Sequence, residues 1–199
     1  MLQDCCEPFD SNARIVTIDR RRMSETDACM IAELLCKVWP QSGRIIQTRL
    51  AEMRSAWQDY RGPEAQFPRS FIIRSAGRAV AHAEISPRTI RTIAGEITIG
   101  ALAGVCTDPS VRGSGLGVRM VREAFGLVDD GTFPFALFQN YIDKRPFYEK
   151  LGARSIDNPI INSRGEDPRT NPFWADVAMV YPATKPWPRG EIDLCGPGY

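Results

Sequence analysis

The chain has 199 residues, and its 25 lysines and arginines stand against 24 aspartates and glutamates, for a formal net charge of +1. With 43% hydrophobic and 25% charged residues it has an ordinary globular composition, and the balanced charge indicates neither nucleic-acid nor membrane binding. No apolar run approaches the roughly 18 residues of a membrane span, and no signal-peptide pattern opens the chain. We therefore expect a cytoplasmic protein.

The cysteines and the single histidine indicate no metal site. None of the six cysteines stands in a CxxC pair, and His82 is the only histidine that could join them. We expect reduced thiols. The adjacent pair Cys5-Cys6 falls in a predicted flexible N-terminus, residues 1–12.

The first half of the chain predicts two helices and a run of strands. Alternating, β-branched residues predict strands, and apolar stripes at three- and four-residue spacing predict helices. Ser24 is the predicted N-cap of the first helix. In chain order the elements are a strand at 13–18, helices at 24–38 and 47–60, and strands at 70–74, 79–86 and 95–107, with connections beginning at Ala76-Gly77 and Pro87-Arg88.

A glycine-rich turn follows the third of these meander strands. The strand ends at Thr107, and a predicted helix at 118–128 comes directly after the run Arg112-Gly113-Ser114-Gly115-Leu116-Gly117. Three glycines in five residues leave backbone N–H groups accessible, and the helix N-terminus beyond them favours an anion. The run lacks the Lys-Ser/Thr pair of a P-loop, and the next strand lacks the acid of a dinucleotide site. On these grounds alone, a phosphate-bearing ligand and an ordinary glycine turn both stay open.

The second half predicts alternating strands and helices and ends in a proline-rich tail. Asp143 is the predicted N-cap of its short helix, and Gly152 the glycine that ends it. The elements are a strand at 134–140, a helix at 144–151, strands at 153–156 and 177–181, a long functional or mobile loop at 158–176 and a tail at 182–199.

Two runs resemble signatures of the GNAT N-acetyltransferases. Val105-Cys106-Thr107-Asp108-Pro109 with the glycine run resembles the acyl-CoA motif Arg/Gln-x-x-Gly-x-Gly/Ala, and Phe147-Tyr148-Glu149-Lys150-Leu151-Gly152 resembles the second signature, about thirty residues on. The resemblance covers residues 69–152. It implies an α/β (α+β) fold: a mixed, mostly antiparallel sheet of six to seven strands with a splayed parallel pair and about four helices, in one domain at 13–181.

The resemblance also implies the acyl donor and the general acid of the reaction. Acetyl-CoA is the expected co-substrate, without a metal, and Tyr148 is the expected general acid that protonates the departing thiolate. A backbone N–H near Val105 or Cys106 is expected to stabilise the oxyanion. Cys106 as a covalent nucleophile is the disfavoured alternative, because no basic partner lies near it in sequence. The residues implied to bind the cofactor are Val105, Cys106, Thr107, Arg112, Gly113, Ser114, Gly115, Leu116, Gly117 and Asn140.

The residues that would bind the acceptor are indicated less specifically than those for the donor. The position that is Glu in the aminoglycoside 2′-N-acetyltransferases is Ala103 here, so the base stays open among Glu84, Glu96 and His82. Trp57 is a candidate pocket wall. The ending, with Glu191, Asp193 and Tyr199, resembles the nodulation N-acyltransferases and the aminoglycoside enzymes. Its carboxylates could attract a cationic or polyhydroxylated amine, and a flexible tail is the competing interpretation.

The expected function is therefore acetyl-CoA-dependent N-acetylation of a small-molecule amine, such as an amino sugar or an aminoglycoside-like compound. The aminoglycoside 2′-N-acetyltransferases and nodulation N-acyltransferases are the expected nearest branch. Two alternatives stay open: a longer-chain N-acyltransferase of nodulation type, and an acyl-CoA-binding sensor without turnover. Homodimer formation and the identity of the acceptor are left open as well.

Overall fold

The computed structural model describes residues 13–40, 45–55, 57 and 59–199, so the predictions for residues 1–12 lie outside the described residues. The described chain forms one sheet with helices on both faces. The strands are β1 (Ile15–Asp19), β2 (Arg69–Ser75), β3 (Arg78–Thr92), β4 (Gly95–Thr107), β5 (Ala136–Asn140), β6 (Arg154–Ile156), β7 (Ile160–Ile161), β8 (Val177–Tyr181) and β9 (Ile192–Asp193), and the helices are α1 (Glu25–Val38), α2 (Ile46–Ser55), α3 (Leu116–Asp129) and α4 (Arg145–Glu149).

Seven strands follow one another in the sheet in the order β1-β2-β3-β4-β5-β8-β6. Strands β1 to β4 form an antiparallel meander, β5 runs parallel to β4, and β8 pairs antiparallel with β5 and β6. The two-residue strands β7 and β9 pair with each other, and β9 joins the end of β3. This mixed, mostly antiparallel sheet with four helices confirms the expected fold class.

Each face of the sheet buries its own core, because side chains alternate along every strand. Helix α3 covers one face, here called the back face, and packs against Phe71 and Phe138. The opposite, front face is covered at one end by α1 and α2, which pack on Ile72. Its other end is covered by the C-terminal segment, residues 182–199, with Trp187 and Leu194 in its core.

The C-terminal segment packs closely on the sheet. Trp187 is 8% exposed, and Ile192 and Leu194 are completely buried. Strands β7 and β9, which organise this packing, were not predicted from the sequence. Strands of two residues are too short to show an alternating pattern, so only the tertiary structure identifies them.

Two predicted boundaries are wrong, and one capping residue is confirmed. The predicted connection at Pro87 is instead part of β3, which turns only after Thr92. Pairing with β2 ends at Ile85, so Pro87 lies where β3 has no β2 partner and a proline is tolerated. Asp143 does not cap α4, because a short 3₁₀ turn precedes Arg145. Ser24 caps α1 as predicted.

The β3–β4 hairpin contains one irregularity beside the glycine-rich turn. Between the pairs Glu84–Ala103 and His82–Cys106, β4 has one residue more than β3, which makes a β-bulge. Gly104 lies in this bulge with φ +60°, in the left-handed region. The bulge bends β4 just before its last residues.

His82 holds the bulge in place. Its ring is completely buried, and Nδ1 donates a hydrogen bond to the Gly104 carbonyl at 2.8 Å, since a carbonyl oxygen can only accept. Nε2 then accepts from the Ser70 hydroxyl at 3.3 Å. Burial lowers the pKa of His82, although Glu84 acts in the opposite direction. His82 is therefore a neutral structural residue.

Replacing Gly104 by alanine should destabilise the protein by about 1–3 kcal/mol, because an L-residue is strained in the left-handed region. The new Cβ would also lie 2.9 Å from Cε1 of His82. Gly126 provides the matched control: in the last turn of α3, with no atom within 4 Å of an added Cβ, it has room for a methyl group. Gly126→Ala should stabilise by about 0.5–1 kcal/mol. Urea unfolding measures both changes, and a fully stable Gly104→Ala protein would contradict this role of the bulge.

Candidate active site

Strands β4 and β5 pair only over a short stretch and then separate. Their register pairs are Gly100–Ala136 and Ala101–Leu137, and the Gly100 N–H donates to the Phe135 carbonyl at 2.9 Å. Beyond this point, within the described residues, no strand pairs with the β5-facing edge of β4. This confirms the expected splayed pair. The open edge of β4 and the end of β5 form a slot, bounded by Thr107 and Asn140.

The glycine-rich turn lies at the open end of the slot. Gly113 and Gly115 have φ of +83° and +81°, so the backbone conformation itself favours glycine at both positions. A Cβ added at either would meet no atom within 4 Å, so the space above the turn is open. Ser114 stabilises the turn from within, since its hydroxyl donates to the Val111 carbonyl at 2.6 Å.

Helix α3 begins without a side-chain cap. Gly115 is its N-cap residue, and the Arg119 N–H donates to the Gly115 carbonyl at 3.2 Å. The amides of Leu116, Gly117 and Val118 precede this first intrahelical bond and point out of the helix end. With the positive end of the helix dipole and Arg112 nearby in the turn, this is a site for an anion.

Tyr148 lies on α4 in an apolar environment. Its ring packs against Phe138 and Phe147, with centroid distances of 4.7 and 4.9 Å. The side chain is 8% exposed, and its hydroxyl makes no hydrogen bond within the described part of the chain. Burial, and secondarily the neighbouring Cys106 thiol, raises the pKa of Tyr148 above its usual value. The hydroxyl is therefore protonated at neutral pH and available to donate.

Asn140, the last residue of β5, carries a buried amide group without partners. The residue is 8% exposed, and neither its Nδ2 nor its Oδ1 has a hydrogen-bond partner among the described residues. Burying an amide without hydrogen bonds costs about 1–3 kcal/mol. A group of this kind at the end of the slot indicates a polar ligand that completes its bonding.

Cys106 is an inert thiol in this structure. Burial raises its pKa to about 12, although Arg49 and Arg112 act in the opposite direction. Its side chain packs with Leu34 and Ala79, under α1. A thiol with this pKa is almost fully protonated at neutral pH, which argues against covalent catalysis. Within the described residues, no group of three His, Cys, Asp or Glu side chains could hold a metal ion.

The three candidate bases lie in different surroundings. Glu96 forms an exposed ion pair with Arg91 at 3.5 Å, at the far end of β4 from the glycine turn. The buried His82 ring is held by its hydrogen bond to the Gly104 carbonyl in the bulge. Glu84 lies on the front face with 22% of its side chain exposed, and its carboxylate pairs with Arg20 at 2.9 Å. Glu84 is thus the candidate that a substrate amine could approach.

Ala103, Trp57 and Tyr199 were predicted as acceptor residues. Ala103 lies directly opposite Glu84 in the β3–β4 ladder. The Trp57 ring lies 6.0 Å from the Arg20 guanidinium.

Tyr199 is anchored at the point where β4 and β5 separate. Its hydroxyl donates to the Leu137 carbonyl at 3.0 Å, and Gln139 Nε2 donates to its main-chain oxygen at 2.7 Å. Burial raises the pKa of Tyr199. The tyrosine is therefore a fixed wall of the front face.

Sequence reasoning missed two residues of this region, Arg20 and Arg49. Arg20 is the first residue after β1, in a short 3₁₀ turn. Arg49 lies on α2 among the apolar residues that face the sheet. A charged residue inside an apolar helical stripe is the one signal that could have identified Arg49.

Comparisons with known proteins identify the family. Residues 19–156 match the family model described as an acetyltransferase (GNAT) domain, so the chain belongs to the GNAT acetyltransferases, a family that uses acetyl-CoA as co-substrate. No curated protein matches the chain. Within the described residues no helix is long and apolar enough to cross a membrane.

Solved structures show the same fold at low sequence identity. A GNAT acetyltransferase from Staphylococcus aureus aligns with a TM-score of 0.55 and 13% identity over 86% of this chain and 100% of its own. ElaA from Escherichia coli aligns with a TM-score of 0.53 and 13% identity, over 84% and 98%. Glucosamine-6-phosphate N-acetyltransferase from Arabidopsis thaliana aligns at 0.52 and 15%, over 70% and 90%.

Replacing Asp108 by asparagine should weaken the start of the glycine-rich turn. The carboxylate accepts hydrogen bonds from Lys37 Nζ at 2.7 Å and from the Ser110 N–H at 2.9 Å. Burial opposes these bonds, but together they lower the pKa of Asp108. Because the folded pKa lies below the unfolded one, the stabilisation is present above the unfolded value of about 3.9 and is lost as pH falls through the folded value.

We therefore expect Asp108→Asn to lower the free energy of unfolding by about 1 kcal/mol at pH 7, with the half-exposed lysine limiting the effect. The difference from the wild type should shrink as pH falls below about 4. Urea unfolding from pH 7 to pH 3 measures both, with the exposed Asp157→Asn as control. A difference that stays constant with pH would contradict this assignment.

Proposed function

We propose that the protein is an N-acetyltransferase that transfers the acetyl group of acetyl-CoA directly to the amine of a small molecule. The observation that carries the proposal is the open edge of β4, which leads to the uncapped N-terminus of α3, together with the protonated hydroxyl of Tyr148 on α4. Helix α4 lies against the glycine turn, since Phe147 is 3.6 Å from a Cβ built on Gly117.

The residues of the slot fit the chemical groups of CoA. The unpaired amides at the start of α3, with Arg112, would bind the pyrophosphate. The unpaired main chain of Val105 to Thr107 would hydrogen-bond the amides of the pantetheine arm, as an added strand does. The buried amide of Asn140 would find its missing partners there. We assign the CoA site to these residues, together with the rest of the glycine run.

The reaction needs a neutral amine, stabilisation of the carbonyl oxygen as it gains charge, and a proton for the departing sulfur. Tyr148 would donate its hydroxyl proton to the sulfur as the C–S bond breaks and the C–N bond forms. The N–H groups of the open β4 edge would stabilise the carbonyl oxygen. Glu84 would take the proton that the amine loses, directly or through water, so that the proton count balances.

The front face would hold the acceptor. Glu84 and Ala103 form its floor, with Trp57 towards α2 and Tyr199 towards the C-terminal segment. An amino sugar or aminoglycoside-like acceptor, and the aminoglycoside or nodulation branch of the family, stay predictions. Transfer of a longer acyl chain and acyl-CoA sensing without turnover are outcomes that the following experiment distinguishes.

Tyr148→Phe should lower kcat by about 10²–10⁴-fold, because it removes the proton donor for the thiolate. It should leave the dissociation constant for acetyl-CoA nearly unchanged. Free-thiol release against a panel of amines measures the rate, and calorimetry measures acetyl-CoA binding. Tyr141→Phe is the matched control, since Tyr141 is 54% exposed and lies outside the slot.

Each result of that experiment has a definite meaning. An unchanged rate in Tyr148→Phe would refute the acid role. Binding of acetyl-CoA without turnover of any amine would favour the sensor, and turnover only with longer acyl-CoA donors would favour the nodulation-type activity. Absence of acetyl-CoA binding would overturn the assignment of the glycine turn.

Asn140→Ala should separate binding from stability. It removes an amide that is buried without partners, so the free energy of unfolding should not fall, while acetyl-CoA should bind more weakly, by about tenfold. Asn158→Ala is the control with the opposite pattern. Asn158 Nδ2 donates to the Pro188 and Gly190 carbonyls at 3.0 and 2.6 Å, so its loss should destabilise the protein without weakening acetyl-CoA binding. Urea unfolding and calorimetry test both variants, and unchanged affinity in Asn140→Ala would exclude this residue from the CoA site.

A further inference from the structure

Arg49 is a buried cation for which the described residues provide no anionic partner. The residue is 9% exposed, and its Nε is buried without a hydrogen bond among the described residues. No carboxylate in the described part of the chain pairs with its guanidinium, whereas Arg20, Arg21 and Arg74 each have an acidic partner. A desolvated and unpaired charge is unfavourable, so its retention indicates a ligand that pairs with it.

Arg49 faces the front of the sheet. It lies one helical turn before Met53 on α2, and Met53 packs with Ile31 and Ile72 in the core beneath this helix. Met53 also lines a cavity of about 370 Å³ together with Arg20. Arg49 does not line this cavity, but it acts electrostatically on the Cys106 thiol of β4, which packs under α1 on the front face. The buried Arg49 side chain therefore lies near the front face, where the acceptor site is proposed.

Near the end of β4, the two carboxylates have partners, whereas two cations have none among the described residues. Four charged groups act on Cys106: Arg49, Arg112, Glu84 and Asp108. Glu84 pairs with Arg20, and Asp108 pairs with Lys37. Arg112 belongs to the glycine turn, where the pyrophosphate of the donor would neutralise it. Arg49, on the front face, has no such anion from the donor.

Arg20 extends the same positive region. Its guanidinium is held by the ion pair with Glu84 and lies over the Trp57 ring, while its Nε is buried without a hydrogen bond. Glu84 is thus paired with Arg20, whereas Arg49 has no carboxylate partner among the described residues. The front face carries excess positive charge next to the carboxylate that would accept the amine proton.

We propose that the acceptor is a small-molecule amine that also carries an anionic group, a carboxylate or a phosphate, and that Arg49 binds this group. The amine of the same molecule would lie near Glu84, a few ångströms from the acyl group. This inference rests on the proposed function and names its substrate class. It disfavours polycationic aminoglycosides, which Arg49 would repel.

The test compares amines that differ only in the anionic group. Suitable pairs are glucosamine and glucosamine 6-phosphate, ethanolamine and phosphoethanolamine, and phenylalanine and phenethylamine. Free-thiol release gives kcat and KM for each, and calorimetry on protein saturated with CoA gives acceptor affinity without turnover. The phosphate and carboxylate pairs distinguish the two possible anions.

We expect the anionic member of at least one pair to have a kcat/KM about 10–100-fold higher, from charge-assisted hydrogen bonds to Arg49. Arg49→Met should abolish this preference through KM, and Arg49→Lys should restore part of it. The exposed Arg78→Met is the matched control and should keep it. Since Arg49→Met removes an unpaired buried charge, the variant should fold.

Other results would overturn the proposal in distinguishable ways. Equal use of neutral and anionic amines would refute it while leaving the acetyltransferase function intact. Weaker CoA binding in Arg49→Met, with the acceptor preference unchanged, would assign Arg49 to the donor instead. Arg49-dependent binding of anionic amines without turnover would support the ligand class and refute the catalytic function.

Discussion

The hydrogen bond between the buried His82 ring and the Gly104 carbonyl fixes the bulge on which the candidate site depends. Strand β4 pairs with β3 over most of its length, yet it pairs with β5 at only two register positions. An extra residue with left-handed backbone lets β4 bend while its ladder with β3 continues. The slot between β4 and β5 is thus a consequence of strand geometry, and the glycine turn and α4 are positioned at its open end.

Several polar groups around the slot lack partners within the described chain. The first amides of α3, the amide of Asn140 and the Nε of Arg49 each carry a cost in stability. They lie on two sides of one opening, with the α3 amides and Asn140 on the proposed donor side and Arg49 on the proposed acceptor side. Tyr148, whose hydroxyl stays protonated because burial raises its pKa, is the proposed proton donor. The distribution of unsatisfied groups therefore agrees with a site for two ligands.

Much of the fold could be predicted from local sequence pattern. Alternation located the meander strands, Ser24 marked the start of α1, and two runs of residues carried the family resemblance that the comparisons confirm. Gly152 has the expected positive φ, but α4 ends earlier, at Glu149. The roles of Tyr148, Asn140 and the glycine run remain proposals. The carboxyl-terminal packing was not predicted, because β7 and β9 are too short for a periodic signal.

The sequence by itself determined the order of strands and helices, the glycine turn and the family. These features depend on hydrophobic periodicity and on the backbone conformations that each residue favours, and both are set by neighbouring residues. Only the tertiary structure decided which candidate bases lie at the site, since burial and pairing depend on distant strands. It made His82 a neutral structural residue, left Glu84 accessible opposite Ala103, and buried the Nε of Arg49 without a hydrogen bond among the described residues. A charge is paired or unpaired only through residues that folding brings near it, and no local pattern encodes that.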